Sequence, residues 1–124
     1  MKKEEMTPKA ENDLRDRTKR FALQIIRIYT VLPKTVEAQV IGKQILRSGT
    51  SVGANYREAY RSRSRAEFIA KIGDCLKELE ETAYWLELLV ESGIVDEQRP
   101  ADLQNKSNEL TAIFVTIIKR TKDN

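Results

Sequence analysis

Apolar side chains recur along the chain in alternating steps of three and four residues, the spacing of one face of an α-helix. The first such stretch predicts a helix over residues 12–31, and its buried face is formed by Leu14, Thr18, Phe21, Ile25, Ile28 and Leu32. Residues 1–11 are highly charged, contain Pro8 and lack this spacing. We therefore expect a loose N-terminal segment before the first helix.

The second helix is predicted over residues 35–61, directly after the break at Leu32-Pro33. Glycines and hydroxyl residues within it disfavour a helix on propensity alone. The helical period nevertheless places Gly42, Gly49 and Gly53 within about 40° of one another, on an otherwise apolar face. A row of glycines on such a face indicates that another helix approaches closely there.

Two further helices complete the pattern, and we find no repeat and no predicted strand. Residues 64–91 form the third, and Ser64 with Glu67 has the spacing of a capping box. Its apolar face contains Phe68, Ile72, Cys75, Leu79, Ala83, Leu86 and Val90, and Gly93 is the expected stop. The fourth covers residues 97–121, with Pro100 in its first turn, where proline is tolerated.

Four amphipathic helices with short connections predict an all-α fold, an antiparallel up-down-up-down four-helix bundle. At 124 residues the chain is long enough for one domain with a single core. The apolar face of the third helix is too broad for one bundle core to cover, which favours oligomerisation. Trp85 is expected at a helix or subunit contact.

Charge is unevenly distributed, although the net charge is only +3. Residues 66–98 carry two lysines against nine carboxylates, a net charge of −7. Residues 43–65 carry one carboxylate, Glu58, and a net charge of +5 from Lys43, Arg47, Arg57, Arg61, Arg63 and Arg65. These basic residues predict either an anionic partner such as RNA or DNA, or ion pairs with the acidic segment within or between subunits.

Small and polar side chains form another face of the second helix, including Ser48, Ser51 and Asn55. We expect a helix or subunit packing role for Gly49, Ser51, Gly53 and Asn55 rather than direct phosphate contact. Tyr56 and Tyr60 lie on the apolar face, which favours burial over stacking on bases.

Several blocks together resemble a known family. They are Leu32-Pro33, the run from Leu46 to Asn55 followed by Glu58-Ala59, Arg65 to Ile69, Lys77-Glu78 with Glu81-Thr82, and Tyr84 to Leu89. The chain resembles the bacterial 23S rRNA intervening-sequence proteins, whose biochemical role is not established. The resemblance implies an up-down four-helix bundle and a ring-shaped homopentamer. A related branch, the accessory protein of diversity-generating retroelements, is a basic pentamer that works with a reverse transcriptase and nucleic acid.

Catalytic chemistry has little support in the sequence, and we expect no enzyme, no cofactor and no metal. There is no histidine, which excludes Ser-His-Asp triads and histidine-containing metal sites. Cys75 lies on an apolar face, where a thiol is an inert hydrophobe. Glu78-x-x-Glu81 resembles half of the magnesium site of all-α nucleotide pyrophosphatases, but the second acidic pair is missing, so ion pairing is the favoured interpretation.

The sequence therefore predicts a cytoplasmic, non-enzymatic homo-oligomer, because it has one cysteine and no apolar run of membrane-spanning length. It would bind RNA or DNA through the basic residues of the second helix and the following turn. The alternative is a scaffold whose charged faces form subunit contacts without nucleic acid. A magnesium-dependent nucleotide hydrolase is a distant third hypothesis.

Overall fold

The computed structural model describes residues 7–96 and 98–123 of the chain. Within these residues the fold is all-helical, with four helices and no strand: α1 Pro8–Thr30, α2 Val36–Ala59, α3 Arg65–Glu91 and α4 Gln98–Asp123. α2 packs against α1 and α3, and α3 packs against α4, while contact between α1 and α4 is sparse. One apolar core contains residues of all four helices, which is consistent with a four-helix bundle.

The helix ends follow their local sequence. Thr7, Thr35 and Ser64 are the N-caps, and each side-chain oxygen accepts a hydrogen bond from a backbone N–H in the first turn. Glu67 completes the cap of α3 by accepting from the backbone N–H of Arg63, one residue before the N-cap. At the other end of α3, Gly93 has a φ of +77° and closes a Schellman motif.

α1 begins four residues earlier than expected, so the prediction of a loose segment is wrong for residues 8–11. Pro8 is the first helical residue, a position whose N–H has no partner inside a helix, and Thr7 caps the turn. Residues 1–6 of that predicted segment lie outside the described residues. α4 extends to Asp123, two residues beyond the prediction, and α2 ends at Ala59, two residues before it.

The buried face of each helix repeats every seven residues, the spacing of coiled-coil-like packing. The six residues predicted for the buried face of α1 are all buried. In α3 Thr82 and Leu89 are fully buried, whereas Ala83 and Val90, which we predicted for the buried face, are half-buried. Thr82 is tolerated because its hydroxyl donates to the Glu78 carbonyl at 2.7 Å and contacts Ser48 Oγ at 2.7 Å.

Glycines of α2 lie where α1 approaches. A Cβ atom on Gly49 would lie 2.6 Å from Ile25 Cγ1, and one on Gly42 would lie 2.6 Å from Leu32 Cδ1. At Gly53 the nearest atom would be Thr18 Oγ1 at 3.2 Å. The first two distances are shorter than any ordinary carbon–carbon contact. Three side-chain carbons of Ile25 in α1 lie within 3.0 Å of the Cβ position at Gly49, so the observed separation of α1 and α2 requires glycine there.

We predict that Gly49→Ala lowers the free energy of unfolding by about 1 kcal/mol, because overpacking against Ile25 outweighs the gain in helix propensity. The matched control is Gly73→Ala in α3, where an added Cβ meets no atom within 4 Å. That variant should be more stable by about 0.5–1 kcal/mol. Urea denaturation of both variants measures the difference, and equal stabilisation by the two would contradict close packing at Gly49.

Candidate nucleic-acid interface

All six predicted basic residues are exposed, and they are spread over α2, the turn after it and the start of α3. Lys43 precedes Arg57 by 14 residues on α2, which corresponds to about 21 Å along the helix axis. Arg63 lies in the turn after α2, and Arg65 is the first residue of α3. The remaining residues, Arg47, Arg57 and Arg61, differ sharply in their surroundings.

Arg47 is paired with the acidic segment. Its guanidinium lies 3.1 Å from Glu78 Oε2 through Nη1 and contacts Glu81 through Nη2. The carboxylates of Glu78-x-x-Glu81 thus face an arginine of the neighbouring helix. The ion-pairing interpretation of this motif is supported, and Arg47 has little charge left for an external anion.

Glu58 is the one carboxylate of the basic segment, and Lys71 of α3 engages it at 2.9 Å. The nearby ammonium lowers the pKa of Glu58, and the carboxylate in turn raises the pKa of Lys71. Both side chains therefore stay charged and paired over the physiological range. Glu58 also interacts electrostatically with Arg61, which contributes to lowering its pKa, so the positive charge of the basic segment is partly neutralised here.

A groove of about 420 Å³ lies between α1 and α2, and we call it the α1–α2 groove. Lys19 of α1, Arg57 in the last turn of α2 and Arg61 in the turn after α2 line it, and no carboxylate lies within ion-pair distance of these three side chains among the described residues. The other lining residues are small or polar, apart from Glu58: Thr18, Ala22, Thr50, Gly53 and Ala54. Three cations and one carboxylate thus surround this surface, which carries an excess of positive charge.

Lys19 was missed by sequence reasoning because it belongs to α1, outside the basic segment. A signal for it existed. The glycine row predicts close approach of another helix, and Thr18, next to Lys19, lies on the periodic face of α1. Identifying α1 as the approaching helix and aligning it with Gly53 would have placed Lys19 beside Arg57.

The small polar face of α2 makes contacts within the chain. Ser48 is buried against Thr82, and the Ser51 hydroxyl donates to the Arg47 carbonyl at 2.7 Å within α2. Asn55 is half-buried. A packing or subunit-contact role for Ser51 and Asn55 stays a prediction.

Tyr56 belongs to the core. It is fully buried, its hydroxyl donates to the Glu11 carbonyl at 3.2 Å, and burial raises the pKa of its phenol. Its ring contacts those of Tyr60 and Phe114, and Tyr60 contacts Phe68. The preference for burial over base stacking is confirmed for Tyr56, and Tyr60 is half-buried in the same aromatic cluster.

Cys75 is also buried, and its surroundings raise the pKa of the thiol to about 12. Burial is the main cause, and the thiol donates to the Val52 carbonyl at 3.5 Å. It stays protonated near neutral pH, which removes the nucleophilic thiolate. Among the described residues, no group of three or more acidic, cysteine or histidine side chains is arranged to hold a metal ion.

Trp85 is half-buried against the core, and its ring lies 5.2 Å from that of Tyr84. Its indole Nε1 is buried without a hydrogen-bond partner among the described residues. Tyr84 on the adjacent position is 55% exposed. The subunit contact predicted at Trp85 stays a prediction.

Within the described parts of the chain, no helix combines the length and the apolar character needed to cross a bilayer. The protein is thus defined so far as a small all-α protein with four amphipathic helices, one core and one basic groove. A sequence profile of the 23S rRNA-intervening sequence protein family matches residues 10–116. The chain belongs to this family, and the resemblance noted in its sequence blocks is confirmed.

A solved structure supports the same assignment. It is a protein of unknown function from the S23 ribosomal protein family of Bacteroides thetaiotaomicron, 42% identical in sequence. The similarity covers 88% of this chain and 97% of that one, with a TM-score of 0.82. No protein with a curated description matches the chain.

We predict that Arg47→Met lowers the free energy of unfolding by about 0.5–1 kcal/mol, since it breaks a partly exposed ion-pair network. Arg57→Met is the matched control, because Arg57 lies on the same helix without an ion-pair partner in the described residues, and it should change stability by less than about 0.5 kcal/mol. Urea is the suitable denaturant, because salt can then be varied independently. The Arg47 effect should shrink at high salt, and equal effects of the two variants would contradict the pairing.

Proposed function

We propose that the protein is a non-enzymatic, cytoplasmic homo-oligomer that binds the phosphate backbone of RNA or DNA. The observation that carries the proposal is the α1–α2 groove, where Lys19, Arg57 and Arg61 lie together with one carboxylate, Glu58, which pairs with Lys71. An excess of positive charge on one surface favours an external polyanion. Binding by charge neutralisation would release counterions and be largely independent of nucleic-acid sequence.

The site proposed here differs from the basic stripe expected from sequence. Arg47 contributes mainly to stability, because Glu78 and Glu81 pair with it. Lys43, Arg63 and Arg65 would extend the basic surface beyond the groove and add weaker contacts to a longer strand. The centre of this basic surface is formed by Lys19, Arg57 and Arg61.

We further propose an antiparallel up-down-up-down order of the helices and a closed ring of five subunits, the number that the family resemblance implies. Contacts across helix pairs favour the antiparallel order, since Tyr56 near the end of α2 reaches Glu11 near the start of α1. Large apolar side chains on the surface support association of copies, including Leu23, Ile26, Val36, Val40 and Tyr84. A ring would repeat the basic groove around its circumference and raise its affinity for one long strand.

A scaffold without nucleic-acid binding is the second candidate, and the Arg47 ion pairs favour it. They demonstrate that at least one residue of the basic segment is used for internal contacts. If the other arginines paired with acidic residues of a neighbouring subunit, their removal would disassemble the oligomer instead of weakening nucleic-acid binding.

The test replaces Lys19, Arg57 and Arg61 together by alanine and measures binding to labelled RNA and duplex DNA by fluorescence anisotropy at several salt concentrations. The variant should bind more weakly to all sequences. The slope of log affinity against log salt should become shallower by about 2–3 for each protomer in contact, since each phosphate contact contributes about 0.7–0.9.

A control variant removes the same charge from exposed lysines that do not line the groove, namely Lys34, Lys77 and Lys122. It should bind nearly as the native protein does. The mass of each variant is measured in the same buffers. Equal losses in both variants, or no loss in either, would refute the groove, and a mass that falls in the groove variant would favour the scaffold.

A further inference from the structure

The seam between α1 and α4 holds a second concave site that is separate from the α1–α2 groove. Contact between these two helices is sparse, and a cleft of about 800 Å³ lies between them. Its size is within the range of small-molecule sites in proteins. We call it the α1–α4 cleft, and six of its lining residues matter for its chemistry: Gln24, Arg27, Ile28, Arg99, Asp102 and Leu103.

The cleft has a positive and an apolar part. Arg27 and Arg99 are exposed at its surface and have no carboxylate partner among the described residues. Ile28 and Leu103 are buried beneath, each 3% exposed, and provide an apolar floor. Two free guanidiniums above apolar side chains suit an organic anion better than a bare ion, because the floor offers nothing to a hydrated phosphate.

Hydrogen-bonding capacity in the cleft is also unused. Gln24 Oε1 is buried and accepts no hydrogen bond within the described residues, while Gln24 Nε2 lies 3.5 Å from Asp102 Oδ2. Asp102 also lines the cleft and pairs with Lys106 at 3.4 Å, and the two arginines leave the cleft with an excess of positive charge. A buried acceptor without a partner is unfavourable, and a ligand that brings an N–H or O–H donor to it would relieve this cost.

We propose that the α1–α4 cleft binds a nucleotide-sized organic phosphate. Its phosphate would lie against Arg27 and Arg99, its apolar ring would cover Ile28 and Leu103, and a hydroxyl or amino group would donate to Gln24 Oε1. Guanidinium groups match phosphate oxygens in geometry as well as charge. The inference does not depend on the nucleic-acid site, since the two sites share no residue.

The test titrates the full chain with AMP by isothermal titration calorimetry, with adenosine and inorganic phosphate as partial ligands. AMP should bind at least about tenfold more tightly than either, because each lacks one half of the recognition. Absence of AMP binding, or binding of adenosine or phosphate as tight as that of AMP, would overturn the proposal.

Variants locate the site. Arg27→Ala with Arg99→Ala should weaken AMP binding by about tenfold or more. The variant Arg120→Ala, which removes an exposed cation from the far end of α4, should not. AMP binding that survives the double change, or that falls equally in the control, would overturn the assignment. Combined replacement of Lys19, Arg57 and Arg61 by alanine should leave AMP binding intact; if it instead abolishes AMP binding, the ligand belongs to the other groove.

A substitution at Gln24 separates ligand recognition from stability. Gln24→Met removes the buried unpartnered acceptor, so it should weaken AMP binding without lowering the midpoint of urea unfolding. A loss of both would indicate a structural role for Gln24, and an unchanged affinity for AMP would remove it from the site.

Discussion

The close approach of α1 to α2 is the contact on which much of this structure depends. Gly42 and Gly49 leave no room for a Cβ atom beside Leu32 and Ile25. The same approach continues at Gly53, where Thr18 of α1 meets α2 and the next residue, Lys19, comes to lie beside Arg57. The packing of backbone against side chain therefore also creates the basic groove.

Hydroxyl groups occupy several positions of the buried faces, and three buried threonines find hydrogen-bond acceptors within their own helices. Thr18, Thr82 and Thr121 donate to the carbonyl four residues earlier in their own helix, at 2.7–2.8 Å. A threonine can take a core position on a helix because its hydroxyl finds this partner without disturbing the neighbouring helix. The Thr82 hydroxyl also contacts Ser48 Oγ, and this hydrogen bond links α3 to α2 inside the core.

Electrostatics divides the basic segment according to what lies opposite each residue. Arg47 faces Glu78 and Glu81 across the α2–α3 contact, and its charge is neutralised there. Arg57 lies on the side of α2 that faces α1, where Lys19 adds a positive charge. The two arginines have the same chemistry, and the neighbouring helix determines whether each one stabilises the fold or remains available to a ligand.

Local sequence determined the four helices and most of their boundaries. The seven-residue repeat, the caps at Thr35 and Ser64 and the stop at Gly93 act over a few residues and are visible in a single chain. The start of α1 was missed because charged residues obscured a proline-initiated turn. The burial of Thr82 depends on its partner in α2. The α1–α2 groove, with Lys19 beside Arg57, and the open α1–α4 cleft were decided by the tertiary structure, because helical periodicity gives each residue a face and only packing determines which faces meet.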